Sequence, residues 1–354
     1  MSGSSAPGQG AGIAVIGAGI LGVRTTRELL TPGADGRPRA STVALSTGRR
    51  DRQQQLSASF GADVAVTCSS DPAPDTGADV AVAIVTRAAG HQLDAVRAVI
   101  DRGQHVVATS DDPDEVAEIL GLAERARRRG VRIVVGATMS PGLSCLLAAH
   151  AASLLDRVDE VHVARHGAAG PACARQRLRA LRGTASEWRD GSWTRRPGFS
   201  GRELDWFPDP VGGRDCYRAE LAEPLLLHRA FPTAQRITAR LAATRRDRAL
   251  APFPVLLPPP VEGGLGAIRV ELRGERDGER SSVVYGALDR PAVAGAAVAA
   301  VTALRLAQLE VEPGAGGVAE LGDVVGLLRE LARRGVRAAT FEGNVGGNAR
   351  PLGV

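Results

Sequence analysis

Lysine is missing from all 354 residues, so every one of the 44 basic side chains is an arginine. Its absence removes a Schiff-base amine, a Tyr-x-x-x-Lys pair, a phosphate-loop lysine and a lysine general base from the chemistry open to this chain. Aromatic residues are scarce at 3%. The arginines are dispersed, with no nucleic-acid-binding module around them, which speaks against RNA or DNA as a partner. A run such as Arg125-Ala126-Arg127-Arg128-Arg129 reads as the solvated end of a helix, where cations suit the dipole. Cys68, Cys145, Cys173 and Cys216 stand far apart with no Cys-x-x-Cys and no zinc spacing, so no metal site is expected and a reduced cytoplasmic chain fits. No uninterrupted apolar run approaches membrane length, and Met1 to Gly10 lacks the basic and apolar segments of a signal peptide. No membrane partner is expected.

What is present begins with Gly12-Ile13-Ala14-Val15-Ile16-Gly17-Ala18-Gly19-Ile20-Leu21-Gly22, a short apolar strand running into three glycines at the G-x-G-x-x-G spacing. Gly17 permits a tight turn, Gly19 lets backbone approach a pyrophosphate, and Gly22 lets the next helix pack closely on the strand. The helix that follows, over Val23 to Leu30, would aim its N-terminus at the anion. Gly17, Ala18, Gly19, Ile20, Leu21 and Gly22 are therefore candidate cofactor contacts. After the next apolar run, Val43-Ala44-Leu45, the place of an acid for a ribose 2′-hydroxyl is taken by Ser46-Thr47-Gly48-Arg49-Arg50. Hydroxyls and guanidinium groups at Ser46, Thr47, Arg49 and Arg50 suit a 2′-phosphate, so NADP(H) is expected over NAD(H).

Further apolar runs at Val64 to Cys68, Val80 to Val85, His105 to Ala108 and Arg132 to Gly136 alternate with helix-like stretches and predict a doubly wound parallel sheet. One helix is expected from about Pro113 to Arg129, and another, roughly Leu143 to Leu155, after Pro141-Gly142. From Val158 the pattern turns to alternation and hairpins, at Trp188 to Trp193 and Arg273 to Glu279, which predicts a second α+β domain with an antiparallel sheet. Pro291 opens an alanine-rich helix to about Leu309, Pro313 to Gly317 reads as a linker, and Val318 to Arg334 as a helix. The expected organisation is a Rossmann domain over 1–156, a substrate domain over 157–290 and C-terminal helices over 291–354 returning to the first domain.

The glycine fingerprint, the Pro141-Gly142 turn before an apolar helix, and Glu160-Val161-His162-Val163-Ala164-Arg165-His166-Gly167 leading to Gly170-Pro171-Ala172-Cys173 together resemble the saccharopine dehydrogenase family. The likeness runs to about Leu309, and the stretch Arg202 to Pro210 is similar to bacterial members. It implies a catalytic domain placed before a returning helix, NAD(P)-linked chemistry at a carbon bearing nitrogen, and a homodimer. The chain departs from the lysine-forming members, whose lysine and histidine pair a lysine-free sequence cannot supply.

Ligands of a doubly wound sheet sit beyond the carboxyl ends of its strands, which nominates Thr86, Arg87, Thr109 and Ser110 on the cofactor side and Pro141 and Gly142 on the substrate side. Hydride transfer to an imine or ketone calls for a proton donor, and His166 is the first candidate, ending a strand beside a glycine-rich loop with a side chain that titrates near neutrality. A structural histidine is the other reading of it. Cys173 and Asp215 are further catalytic candidates. Asp209, Arg214 and Asp215 lie in a stretch read as a polar loop between strands. Arg165, Arg202 and Arg214 could clamp carboxylates. The expected function is an NADP(H)-dependent oxidoreductase acting on an imine, amino-acid or oxo-acid carbon of a small-molecule substrate. A sensor or scaffold that binds NADPH without turnover is the alternative from another class.

Overall fold

The computed structural model describes residues 12–32, 40–71, 74–77, 79–245, 247, 263–308, 310–341 and 349–351. Met1 to Gly10 and, within the expected 291–354 unit, residues 309, 342–348 and 352–354 lie outside them. The first domain alternates β1 (Gly12–Ile16), α1 (Ile20–Leu30), β2 (Val43–Thr47), α2 (Arg50–Phe60), β3 (Ala65–Cys68), β4 (Val80–Val85), α3 (Leu93–Asp101), β5 (His105–Ala108), α4 (Pro113–Leu120), α5 (Ala123–Arg128) and β6 (Arg132–Val135). All pairings are parallel, in the order β6-β5-β4-β1-β2-β3. β1 and β4 to β6 are nearly continuous apolar runs because helices cover both faces of such a sheet. The helix expected over Pro113 to Arg129 is two, interrupted at Gly121 and Leu122. A glycine within a helix loses most backbone freedom on ordering and favours such a break.

α6 (Leu143–Ala152) leads out of this sheet and is buried on almost every side. The second domain follows: β7 (Arg157–His166), α7 (Pro171–Arg182), β8 (Thr184–Arg189), β9 (Ser192–Pro197), β10 (Glu203–Phe207), β11 (Gly212–Arg218), α8 (Glu223–Ala230), β12 (Arg236–Ala242), β13 (Gly266–Arg276) and β14 (Glu279–Asp289). Its sheet is mixed and not wholly antiparallel as expected, because β12 returns beside β7 in parallel after the intervening crossover. Arg214 and Asp215 stand in β11, paired with Asp205 and Leu204, and not in a loop. α6 packs against β13, β7 and β14, and one apolar cluster runs from Ile13 of the first sheet to Leu272 of the second.

α9 (Pro291–Gln308) then returns to pack on α1, β4 and β5. It is long and apolar enough to cross a membrane, but 72% of it is buried inside the fold, as befits a core helix. The stretch Pro313 to Gly317, read as a linker, contains β15 (Gly314–Gly317), a seventh parallel strand beside β6. Glycine carries no strand propensity, which hides the strand. Its reason lies in the packing: a Cβ at Gly316 would stand 2.8 Å from Arg132 Nη2 and from Glu320 Oε2. A 3-10 turn at Val318–Leu321 precedes α10 (Val324–Arg333) where one helix was expected. β16 (Arg337–Phe341) and β17 (Ala349–Pro351) extend the second sheet beyond β14.

Candidate functional site

The glycine turn has the geometry of a dinucleotide cradle. Gly17 sits at φ 118°, a conformation that side chains rarely adopt. Gly19 is the N-cap of α1 and has open space where a Cβ would stand, so nothing blocks backbone approach there. No side chain caps α1, which leaves the first amides of the helix available to an anion. Gly22 is the opposite case, since a Cβ would meet the Gly17 carbonyl oxygen and, at 2.6 Å, Thr86 Oγ1. Ala18, Ile20 and Leu21 are half-buried around the turn.

At the ends of β4 and β5 the candidate hydroxyls are engaged within the protein. Thr86 Oγ1 donates to the Gly17 carbonyl at 2.7 Å and braces the turn from below. Thr109 donates to the Val85 carbonyl, and Ser110, fully buried, donates to Glu115 Oε2 at 2.5 Å. Glu115 also accepts from the amides of Gly90, Gln92 and Leu93, so a carboxylate from α4 caps the start of α3. These residues position the site's backbone. Arg87 lines a 380 Å³ recess with His91, Asp94, Asp112, Asp114 and Glu118.

At the end of β2, the Ser46 carbonyl accepts from the Gly17 amide at 3.2 Å, and buried Thr47 accepts through Oγ1 from the Arg49 amide. Arg49 and Arg50 are exposed. Arg49 pairs with Asp51, an acid one position past the stretch singled out in the sequence. The hydrogen bond and charge of each hold the guanidinium above, and the carboxyl below, its ordinary titration range.

On the facing side, Arg165 at the end of β7 reaches the turn after β6. Its Nη1 donates to the Ser140 carbonyl at 2.7 Å and to Asp111 Oδ2 at 3.3 Å, and lies 3.5 Å from Glu223 Oε1. Glu223, at the first turn of α8, is 0% exposed and accepts from Ser140 Oγ at 2.6 Å. Its second oxygen, Oε2, is buried without a hydrogen-bond partner among the described residues. Burial works against the charge on Arg165, but Glu223 and Asp111 outweigh it and hold the guanidinium firmly charged. Burial pushes the Asp111 carboxyl up, with Arg165 pulling the other way and Glu223 adding to the rise. Cys173, in the first turn of α7, feels the same cluster: burial and then Asp111 raise its thiol.

The turn itself depends on Gly142, whose φ is 126° and whose Cβ would lie 2.6 Å from the Thr138 amide nitrogen. Pro141 follows Ser140 through a cis peptide, and Thr138 Oγ1 donates to the Pro141 carbonyl. Of the sequence candidates, the structure thus brings together Pro141, Gly142, Arg165 and Cys173. Asp111 and Glu223, which join this cluster, were not singled out in the sequence. An acid just before a proline in a helical first turn was the one signal Glu223 carried.

His166 faces away from this cluster. It follows Arg165 on a strand, where neighbours point to opposite faces, and it packs beside Phe207 with Nδ1 buried and without a hydrogen-bond partner among the described residues. Burial lowers its pKa, and Arg214 and Arg177 act in the same direction. Arg202 and Asp215 form an ion pair at 2.9 Å with the arginine largely exposed, and Arg214 is exposed beside the Gly213 carbonyl. Among the described residues no group of three metal ligands occurs.

A family model described as oxidoreductase family, NAD-binding Rossmann fold (Gfo/Idh/MocA) matches residues 11–137. A search of curated proteins gives no match. Among solved structures, apo saccharopine dehydrogenase (L-Glu forming) from Saccharomyces cerevisiae is 13% identical, with a TM-score of 0.64 over 94% of this chain and 100% of that one. An engineered D-amino acid dehydrogenase bound to NADP+ gives 16% identity and a TM-score of 0.50 over 90% and 96% of the two chains. Amine dehydrogenase from Mycobacterium smegmatis gives 11% and 0.50 over 89% and 96%. Residues 11–137 accordingly match an oxidoreductase-family NAD-binding Rossmann domain, and the chain shares the overall fold of saccharopine dehydrogenase.

Proposed function

We propose that the chain is an NADP(H)-dependent oxidoreductase acting on an imine, amino-acid or oxo-acid carbon. The observation that carries this reading is the facing pair of features at the carboxyl edge of the first sheet: an uncapped glycine turn with open space at Gly19, and the Arg165 cluster lodged against Ser140. The nicotinamide cofactor supplies the hydride chemistry when bound. Gly17, Gly19 and the first amides of α1 would hold its pyrophosphate, and Arg49, on leaving Asp51, and Arg50 would take a 2′-phosphate. Arg165, Asp111 and Ser140 fix where the substrate's reacting end can lie. A cytoplasmic homodimer belongs to the same reading.

Fluorescence titration with NADPH and NADH, followed by a screen of amino-acid and oxo-acid pairs for cofactor turnover, tests it. NADPH bound more tightly than NADH, with turnover of at least one pair, is the expected result. NADPH binding with no turnover across the panel turns the reading to a sensor or scaffold, and binding of neither dinucleotide overturns it.

A further inference from the structure

The order of the first sheet reverses between β1 and β4, with β2 and β3 added on one side and β5 and β6 on the other. A ligand of such a sheet lies in the crevice beyond the strand ends at that reversal, so the loop after β4 forms a second wall beside the glycine turn. The two walls touch. A Cβ on Gly17 would stand 3.1 Å from the Arg87 amide nitrogen, and Thr86, at the head of the loop, gives its amide to the Ile16 carbonyl and its hydroxyl to the Gly17 carbonyl.

One side chain sets the direction of this loop. Gln92, 1% exposed in front of α3, donates through Nε2 to the Arg87 carbonyl at 2.7 Å and to Thr109 Oγ1 at 3.3 Å, while its Oε1 accepts from the Thr109 amide at 3.0 Å. Both amide hydrogens and the oxygen are in use, and turning the group over would set N–H against N–H at Thr109. The backbone amide of Gln92 is fixed in turn by Glu115. In a trans peptide the C=O and the next N–H point in opposite directions, so an Arg87 carbonyl drawn toward Gln92 sends the Ala88 N–H away from it. Ala88 is exposed, and its N–H has no hydrogen-bond partner among the described residues.

We propose that Gln92 is a positioning residue for the dinucleotide: its amide turns the Arg87–Ala88 peptide so that the Ala88 N–H joins the uncapped amides of α1 as a donor to the bound cofactor. This rests on the dinucleotide-binding reading above and adds to it a backbone donor whose direction a side chain sets. A carboxylate in place of the amide would repel the Arg87 carbonyl. An apolar side chain would leave that carbonyl and the Thr109 amide without partners, so either change frees the peptide to rotate. A protonated carboxyl restores both bonds, its O–H donating to the Arg87 carbonyl and its other oxygen accepting from the Thr109 amide.

The test titrates the full chain with NADPH by fluorescence, below the melting temperature of each variant, at about pH 8 and about pH 5.5. Gln92→Met should weaken binding at least about tenfold at both, the worth of one hydrogen bond to an anion. Gln92→Glu should weaken it as much at the higher pH and recover to within about threefold of the parent chain at the lower, where a carboxyl pushed up by burial is protonated. Ala88→Pro, which deletes the N–H and leaves Gln92 in place, should also weaken binding about tenfold, and it supplies the answer where a Gln92 variant folds poorly. A residue that only stabilised the loop would change the melting temperature and leave the affinity of the folded protein unchanged. NADPH bound by the parent chain, with affinity in the three variants within twofold of it or with no recovery of Gln92→Glu at the lower pH, overturns the role of Gln92 and leaves the dehydrogenase reading standing. Failure of the parent chain to bind either dinucleotide overturns both.

Discussion

Gly22 and Gly17 lie so close that a Cβ on Gly22 would occupy the space of the Gly17 carbonyl oxygen, whereas Gly19, between them, faces open space. Two glycines of one motif therefore serve different ends. Gly22→Ala should destabilise the fold by about 3 kcal/mol, because the clash falls on backbone that Thr86 also holds. Gly19→Ala should leave thermal stability nearly unchanged and weaken dinucleotide binding at least about tenfold, by filling the approach a pyrophosphate needs. Melting curves and NADPH titrations on the two variants separate the effects, and equal behaviour in both assays would contradict the division.

The proposed preference for NADP(H) is tested at the Arg49 and Asp51 pair. Arg49→Ala should weaken NADPH by roughly tenfold and leave NADH within a factor of two, since only the 2′-phosphate calls on the guanidinium. Asp51→Asn should shift preference further toward NADPH by freeing Arg49 from its partner. Affinities measured at two salt concentrations check this, because an exposed charge contact weakens with ionic strength.

Glu115 is a second-layer support whose loss should be felt in stability. Its carboxylate satisfies the amides of Gly90, Gln92 and Leu93 and the hydroxyl of Ser110. Glu115→Ala leaves the Gln92 amide and the Ser110 hydroxyl buried and unpaired and should cost on the order of 3 kcal/mol in urea denaturation. A change below about 1 kcal/mol would mean that water replaces the carboxylate.

Histidine burial gives the stability a defined pH dependence. His105, His150, His162, His166 and His228 all have pKa values lowered by burial. The unfolded chain, with histidines near 6.5, then binds more protons than the folded one, so stability rises with pH through the window below about 6.5 and is lost as pH falls through the lowered values. The melting temperature should drop between pH 7.5 and pH 5.5. A flat profile over that interval would show that these rings are solvated in the folded protein.

The parts of the molecule legible in the sequence are those whose signal is local. The glycine turn, the runs that become β4 and β5, and the alternation of Val161 and Val163 against His162 and His166 each lie within a few residues, and the structure has them in place. β15 was hidden because a strand of Gly-Ala-Gly-Gly is chosen for its thinness beside Arg132 and Glu320, a reason that exists only in three dimensions. Glu223 was hidden for a related cause. Its hydroxyl partner is 83 positions away, and neither residue has a pattern of its own. Arg165 was singled out in the sequence as a group on the substrate side, but its commitment to Asp111 and Ser140 could not be read from one strand's end.

The chain passes between its two sheets three times: through 153–156 after α6, through Arg290 before α9, and through 334–336 before β16. None of these connectors exceeds four residues. Connectors this short, with α6 packed into the apolar cluster that the two sheets share, tie the two layers closely to each other.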